Sequence, residues 1–82
     1  MYYVYLIRSI KFPNETYIGL TDDFSERIQT HNSGNSLHTK KYFPWHTEVL
    51  VGFDNKLKAA SFEKYLKSGS GRAFAQKRLW SI

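Results

Sequence analysis

YYVYLIRSIKFPNETYIGL, residues 2–20, alternates, breaks and alternates again. In residues 2 to 8, Tyr3, Tyr5 and Ile7 point to one side of an extended chain and Tyr2, Val4 and Leu6 to the other. β-Branched and aromatic residues at this period favour a strand. KFPNE at 11–15 carries turn-forming residues, and TYIGL at 16–20 resumes the pattern, which predicts an antiparallel hairpin. Tyr17 and Gly19 then share a face.

Outward from the hairpin, TDDFSERIQTHN offers Thr21 or Asp22 as an N-cap, early acids that suit the helix dipole, and Phe24 and Ile28 one turn apart. A helix is expected over 23–31, ended by Asn32, Ser33 and Gly34, with a polar, basic loop running to Lys41. TEVLVGF at 47–53 is nearly continuous in apolar character, which predicts a strand covered on both faces, central or beside the hairpin. KLKAASFEKYLK at 56–67 reads as a second helix. After the break SGSG at 68–71, RAFAQKRLW supports a third from about 71 to 80. The expected class is α+β, a small three-stranded antiparallel sheet flanked by helices in the order β-β-α-β-α-α, forming one domain over 1–82.

Composition narrows the chemistry. The 82 residues contain no cysteine, which excludes disulfides and thiolate metal sites and leaves oxygen or imidazole ligands. Twelve Lys and Arg against seven Asp and Glu give a net charge of +5, which favours polyanionic partners but also suits plain solubility. MYYVYLIRSI lacks the features of a signal peptide and no apolar run is long enough to span a bilayer, so a cytoplasmic location away from membranes is expected.

Five residues could form a reaction centre: Tyr5 and Tyr17 on the paired strands, Arg27 and His31 on the first helix, and Glu63 on the second. Each has an ordinary alternative. A strand tyrosine often packs with its polar tip at the surface, Arg27 can pair with Asp23, His31 can favour the helix C-terminus, and Glu63 can pair with Lys67. Their spacing adds information, because Arg27 and His31 stand one turn apart beside the apolar row of Phe24 and Ile28, so one helix can present both to one place. A phosphodiester hydrolase needs a group to activate water, a cation for charge on the phosphorane and a metal-bound carboxylate. All three types are present.

YVY at 3–5, YIG at 17–19, ERIQTHN at 26–32 and the helix bearing Glu63 resemble a GIY-YIG endonuclease domain, over nearly the whole chain and in the expected order. The ending KYLKSGSGR is most similar to small stand-alone members, predicted endonucleases. The resemblance implies a metal-dependent endonuclease hydrolysing DNA, directed to structure or ends. It makes Tyr5 and Tyr17 the motif tyrosines, one of them a general base, Arg27 the phosphate-stabilising arginine, His31 an accompanying catalytic histidine and Glu63 the single ligand of Mg²⁺ or Mn²⁺. Three departures stand out: Tyr3 replaces the first motif's glycine, Leu20 replaces a lysine of repair-type members, and the asparagine that closes the pattern has no counterpart in KSGSGRAFAQ, where Ser68, Ser70 and Arg72 are the candidates to replace it.

Nucleic-acid contacts are expected from His38, Lys40 and Lys41 in the basic loop and from Lys67 and Arg72. So small a surface would need a targeting partner protein or a homodimer. The competing readings are a nucleic-acid-binding module with little activity and a protein-interaction domain whose basic face is incidental.

Overall fold

The computed structural model describes residues 1–81. Its elements are β1 (Tyr2–Ser9), β2 (Thr16–Thr21), α1 (Phe24–Asn32), β3 (Trp45–Phe53), α2 (Lys56–Leu66) and α3 (Gly69–Arg78). The sheet order is β2-β1-β3 with both pairings antiparallel, so the expected α+β architecture and element order hold.

The alternation in β1 divides the interior. Val4 and Leu6 join Ala59, Leu66 and Ala75 in a core under α2 and α3, while Tyr5, Ile7 and Trp45 form a second, against which Phe24 and Ile28 of α1 pack. Strands buried on both faces carry continuous apolar runs. Here that strand is β1, whose residues 4 to 7 are wholly buried.

The expectation that residues 47–53 are covered on both faces is therefore corrected. β3 lies at the sheet's edge and leaves Leu50 44% exposed. Its apolar run misled because one side of an edge strand can carry valine and leucine without a second covering layer. β3 also begins at Trp45, two residues early, where Asn32 grips the backbone: the Trp45 N–H donates to Asn32 Oδ1 at 2.5 Å and Asn32 Nδ2 donates to the Trp45 carbonyl at 3.2 Å. α3 begins at Gly69 rather than 71, because Ser68 caps it by accepting from the Gly71 N–H at 3.2 Å. The same hydroxyl donates to the Tyr65 carbonyl at 2.6 Å, which binds the α2–α3 corner together.

Arg8 fastens the far end of the sheet. Its Nε donates to Glu48 Oε2 at 2.6 Å, its terminal nitrogens donate to the carbonyls of Pro13 at 2.6 Å and Ser81 at 2.9 Å, and its guanidinium lies 5.4 Å from the Trp80 ring centroid. The Ser81 N–H donates to the second Glu48 oxygen at 2.6 Å. Burial alone would raise the Glu48 carboxyl, but the bonds from Arg8 and Ser81 outweigh it and hold it below its usual range. A carboxylate with a lowered folded pKa contributes stability that is present above its unfolded value and lost as pH falls through the folded one. Arg8→Ala, which strands the Glu48 charge, should lower stability by about 3 kcal/mol in urea unfolding at neutral pH, and the deficit should shrink as pH drops below the carboxylate range. An equal deficit at pH 7 and pH 3 would sink this account.

Candidate active site

Tyr5 on β1 lies directly across from Gly19 on β2. A Cβ at Gly19 would fall 2.3 Å from both Cζ and Oη of Tyr5, so the ring occupies the space that any other residue would fill. That contact, more than backbone freedom, explains the glycine of YIG. Two residues along the same face, the Tyr17 ring sits 6.3 Å from that of Tyr5, and His31 lies 5.6 Å from Tyr5 and 5.3 Å from Tyr17 between ring centroids.

α1 brings His31 to this place. Asp23 caps the helix by accepting from the Glu26 N–H at 3.1 Å, and Phe24 and Ile28 pack beside Tyr5. Positions 24, 28 and 31 complete a core-facing stripe at helical spacing, so His31 belongs with the apolar row and is 1% exposed. Arg27 lies on the flank and stays exposed. One helix thus brings both side chains to Tyr5, but from different depths: His31 from the interior and Arg27 from the exposed flank. Tyr5 Oη and His31 Nε2 are 2.8 Å apart, and His31 Nδ1 and Thr39 Oγ1 are 2.6 Å apart. The Trp45 indole N–H donates to the Thr39 carbonyl at 3.1 Å and fixes the third member.

Electrostatics separate the two titrating groups. Burial, then the neighbouring Tyr17, push the Tyr5 hydroxyl up to about 12, although the charge of Arg27 pulls it down; Glu63 adds a smaller upward effect. Burial lowers the His31 pKa and the charge of Arg27 lowers it further, so the imidazole is held neutral. With its proton on Nδ1 it donates to Thr39 and leaves the Nε2 lone pair to accept the Tyr5 O–H; the other tautomer reverses both bonds.

The ordinary reading of Arg27 does not hold, since Asp23 is occupied as a cap and Arg27 forms no ion pair among the described residues. For Glu63 it does: Lys67 Nζ lies 3.2 Å from Glu63 Oε2, and the carboxylate is 23% exposed. Among the described residues no three His, Asp or Glu side chains stand together to cage a metal. The donor set is a single partly open carboxylate near Tyr5. That would suit a divalent ion that keeps most of its waters and would not suit an ion held by protein alone.

Tyr17, Lys67 and Arg72 line a common cleft between the β2 edge and α3. Of the three candidates for the missing asparagine, Ser68 is committed to the helix corner and Arg72 is in the cleft. His38, Lys40 and Lys41 are exposed on the loop between α1 and β3, and none of them lines this cleft. The sequence groups Thr39 with His38, Lys40 and Lys41 as loop residues that could touch nucleic acid, and no periodicity marks it as wholly buried.

Tyr5, seated against Gly19 and bonded to His31, with Arg27 and Glu63 acting on its hydroxyl, stands on the three-stranded sheet of a small α+β domain. The GIY-YIG catalytic domain model matches residues 1–78, and the chain belongs to the GIY-YIG family. Similar proteins include the "Structure-specific endonuclease subunit SLX1" of Malassezia globosa, 40% identical over 77% of this chain and 15% of its own length. That of Candida dubliniensis is 41% identical over 80% of this chain and 26% of its own length. A homologue from Giardia intestinalis is 35% identical over 74% and 18% respectively. The chain thus spans about a quarter or less of the curated relatives it matches here.

Gly19→Ala should drive the Tyr5 ring from its seat, lowering stability by about 1–3 kcal/mol and disturbing the imidazole signals of His31 in NMR spectra. Unchanged His31 shifts would show that the ring does not depend on this glycine. Thr39→Val keeps the shape but removes the partner of Nδ1, and should let the His31 imidazole exchange between tautomers, visible in its nitrogen-15 shifts.

Proposed function

We propose that this domain hydrolyses phosphodiester bonds in DNA with the help of one divalent metal ion, acting at branched or terminal structures. The observation that carries the reading is the hydrogen-bonded chain from Tyr5 to His31 to Thr39, with Arg27 and Glu63 acting on the same hydroxyl. A tyrosine pushed up to about 12 is protonated at neutral pH and is a poor base by itself. Backed by His31, Tyr5 takes a proton from the attacking water on its lone pair while passing its own O–H proton to Nε2, so no free phenolate is needed. Tyr17 hydrogen-bonds the phosphate beside it, and Arg27 stabilises the charge that develops on the phosphoryl oxygens. Glu63 is the residue that would hold Mg²⁺ or Mn²⁺, exchanging its contact with Lys67 for the ion, and the ion would supply Lewis-acid stabilisation of the phosphoryl oxygens and of the attacking water.

Lys67 and Arg72 hold the flanking backbone; Lys40 and Lys41 contribute charge, and His38 a hydrogen-bonding side chain, to a more distant part of the DNA. The relatives' name, with its "subunit", and the small share of their length matched here support a targeting partner, or a second copy, that completes the DNA surface.

Nicking of branched and linear duplexes with Mg²⁺ or Mn²⁺ tests the assignment. Glu63→Gln should abolish cleavage, and Arg27→Ala should slow it by about 10²–10³-fold, with binding largely kept. Cleavage that survives both substitutions would place the reaction elsewhere. Because the relay needs neutral His31, whose pKa is lowered from 6.5, the acid limb of kcat/KM should lie below that value and disappear in His31→Ala. An acid limb above 6.5 would remove His31 from the relay.

A further inference from the structure

The excess positive charge is confined to one part of the chain. Residues 1–53 hold five basic and five acidic residues, whereas from Asp54 onward seven Lys and Arg stand against two acids, so the whole net charge of +5 lies on α2, α3 and their flanks. An apolar surface is set into this basic half. Phe53, Leu57, Phe62 and Tyr65 line an open groove of about 690 Å³ along α2, and the Phe74 ring of α3 continues it, with its centroid 6.1 Å from that of Tyr65. Phe53 and Phe62, 5.5 Å apart between centroids, are half-buried against the aliphatic core. Leu57 does not join that core and is 80% exposed. A lone exposed leucine is ordinary, but a leucine and four aromatics in one run form the kind of patch that partners cover.

We propose that this groove docks a protein partner through an acidic segment that presents apolar side chains at helical spacing. Charge complementarity selects this occupant. Lys58 lines the groove, Lys64 follows the groove residue Ser61 by three positions and Arg78 follows Phe74 by four, so basic groups rim the apolar strip on both helices. The acidic group beside it is Asp54, paired with Lys58 at 3.3 Å; both are exposed, and a carboxylate of the partner can take Asp54's place at little cost. A second copy of the chain would press one strongly basic surface against another, and DNA phosphates would meet phenylalanine and leucine where they need cations. At helical spacing Glu63 and Lys67 fall on the opposite side of α2, and the cleft lined by Tyr17, Lys67 and Arg72 shares no residue with this groove. Partner and DNA can therefore be held together, and the docking stands independently of the nuclease reading.

The probe is a phage-displayed library of random peptides of about sixteen residues, about 24 Å long as helices, selected on the wild-type chain. Enriched sequences should carry net negative charge with leucine or aromatic residues three and four positions apart. Titrated by fluorescence anisotropy as labelled peptides, they should bind Leu57→Glu about tenfold or more weakly, although that exposed change leaves the thermal unfolding curve in place. Reversing Lys58 and Lys64 together to Glu should cost about tenfold, and Lys11→Glu, the same reversal in the β1–β2 turn, far less. Duplex DNA binding should be unchanged in Leu57→Glu. Failure to enrich, enrichment of neutral or basic peptides, or equal losses for Lys11→Glu and Lys58→Glu would overturn the proposal. DNA binding lost in Leu57→Glu would give the face to nucleic acid, and a dimer in sedimentation that Leu57→Glu dissociates would give it to a second copy; either result also overturns it.

Discussion

β1 is hydrogen-bonded along both edges and covered on both faces, and everything else is arranged around that constraint. Because neighbouring side chains on a strand point opposite ways, the run Val4-Tyr5-Leu6-Ile7 has to serve two interiors at once. Val4 and Leu6 make an ordinary aliphatic core under the two C-terminal helices. Tyr5 carries a hydroxyl into the other interior, where it must find a partner, and burial leaves His31 as that partner. A slip of one residue in register would exchange the two sets, placing the phenol among aliphatics and taking Tyr5 away from Gly19. Folding and the Tyr5–His31 contact thus depend on the same pairing.

Polar burial on this side is complete. No buried side-chain nitrogen or oxygen lacks a partner among the described residues, because Tyr5, His31, Thr39 and the Trp45 indole satisfy one another in sequence. Such a network holds its members in place more firmly than isolated pairs do. Arg27 and Glu63 lie outside it, exposed and partly exposed, where they can rearrange without disturbing the interior.

Much of this was legible in the residues. Alternation at 2–8 and 16–20 marked the hairpin, and the Phe24/Ile28 spacing marked α1. The order of elements followed from breaks at Pro13, Gly34 and the SGSG stretch. What escaped was decided by contacts distant in sequence. Whether β3 lay at the centre or the edge depends on which strand pairs with what, and a continuous apolar run is compatible with either. Arg27 and His31 looked equivalent at a separation of one turn, but position 31 closes the 24-28-31 stripe and 27 does not. The burial of Thr39 was invisible, since it is imposed by the Trp45 indole and the His31 ring, and the residues on either side are exposed. The helical start at Gly69 was hidden because glycine and serine read as punctuation until the Ser68 cap is seen.

The two-point grip of Asn32 on the backbone of Trp45 divides the intervening connection into parts with different evolutionary freedom. With both ends pinned, the distance that residues 33–44 must bridge is fixed however long the connection becomes, and extra length adds little entropic penalty. Between Asn35 and His38 nothing wholly buried is fixed, so new segments can be inserted there without shifting α1 against the sheet. From Thr39 onward the chain has no such latitude, because it holds the imidazole in place. The domain can therefore accept a longer surface segment in one short stretch while the Tyr5–His31–Thr39 chain stays as it is.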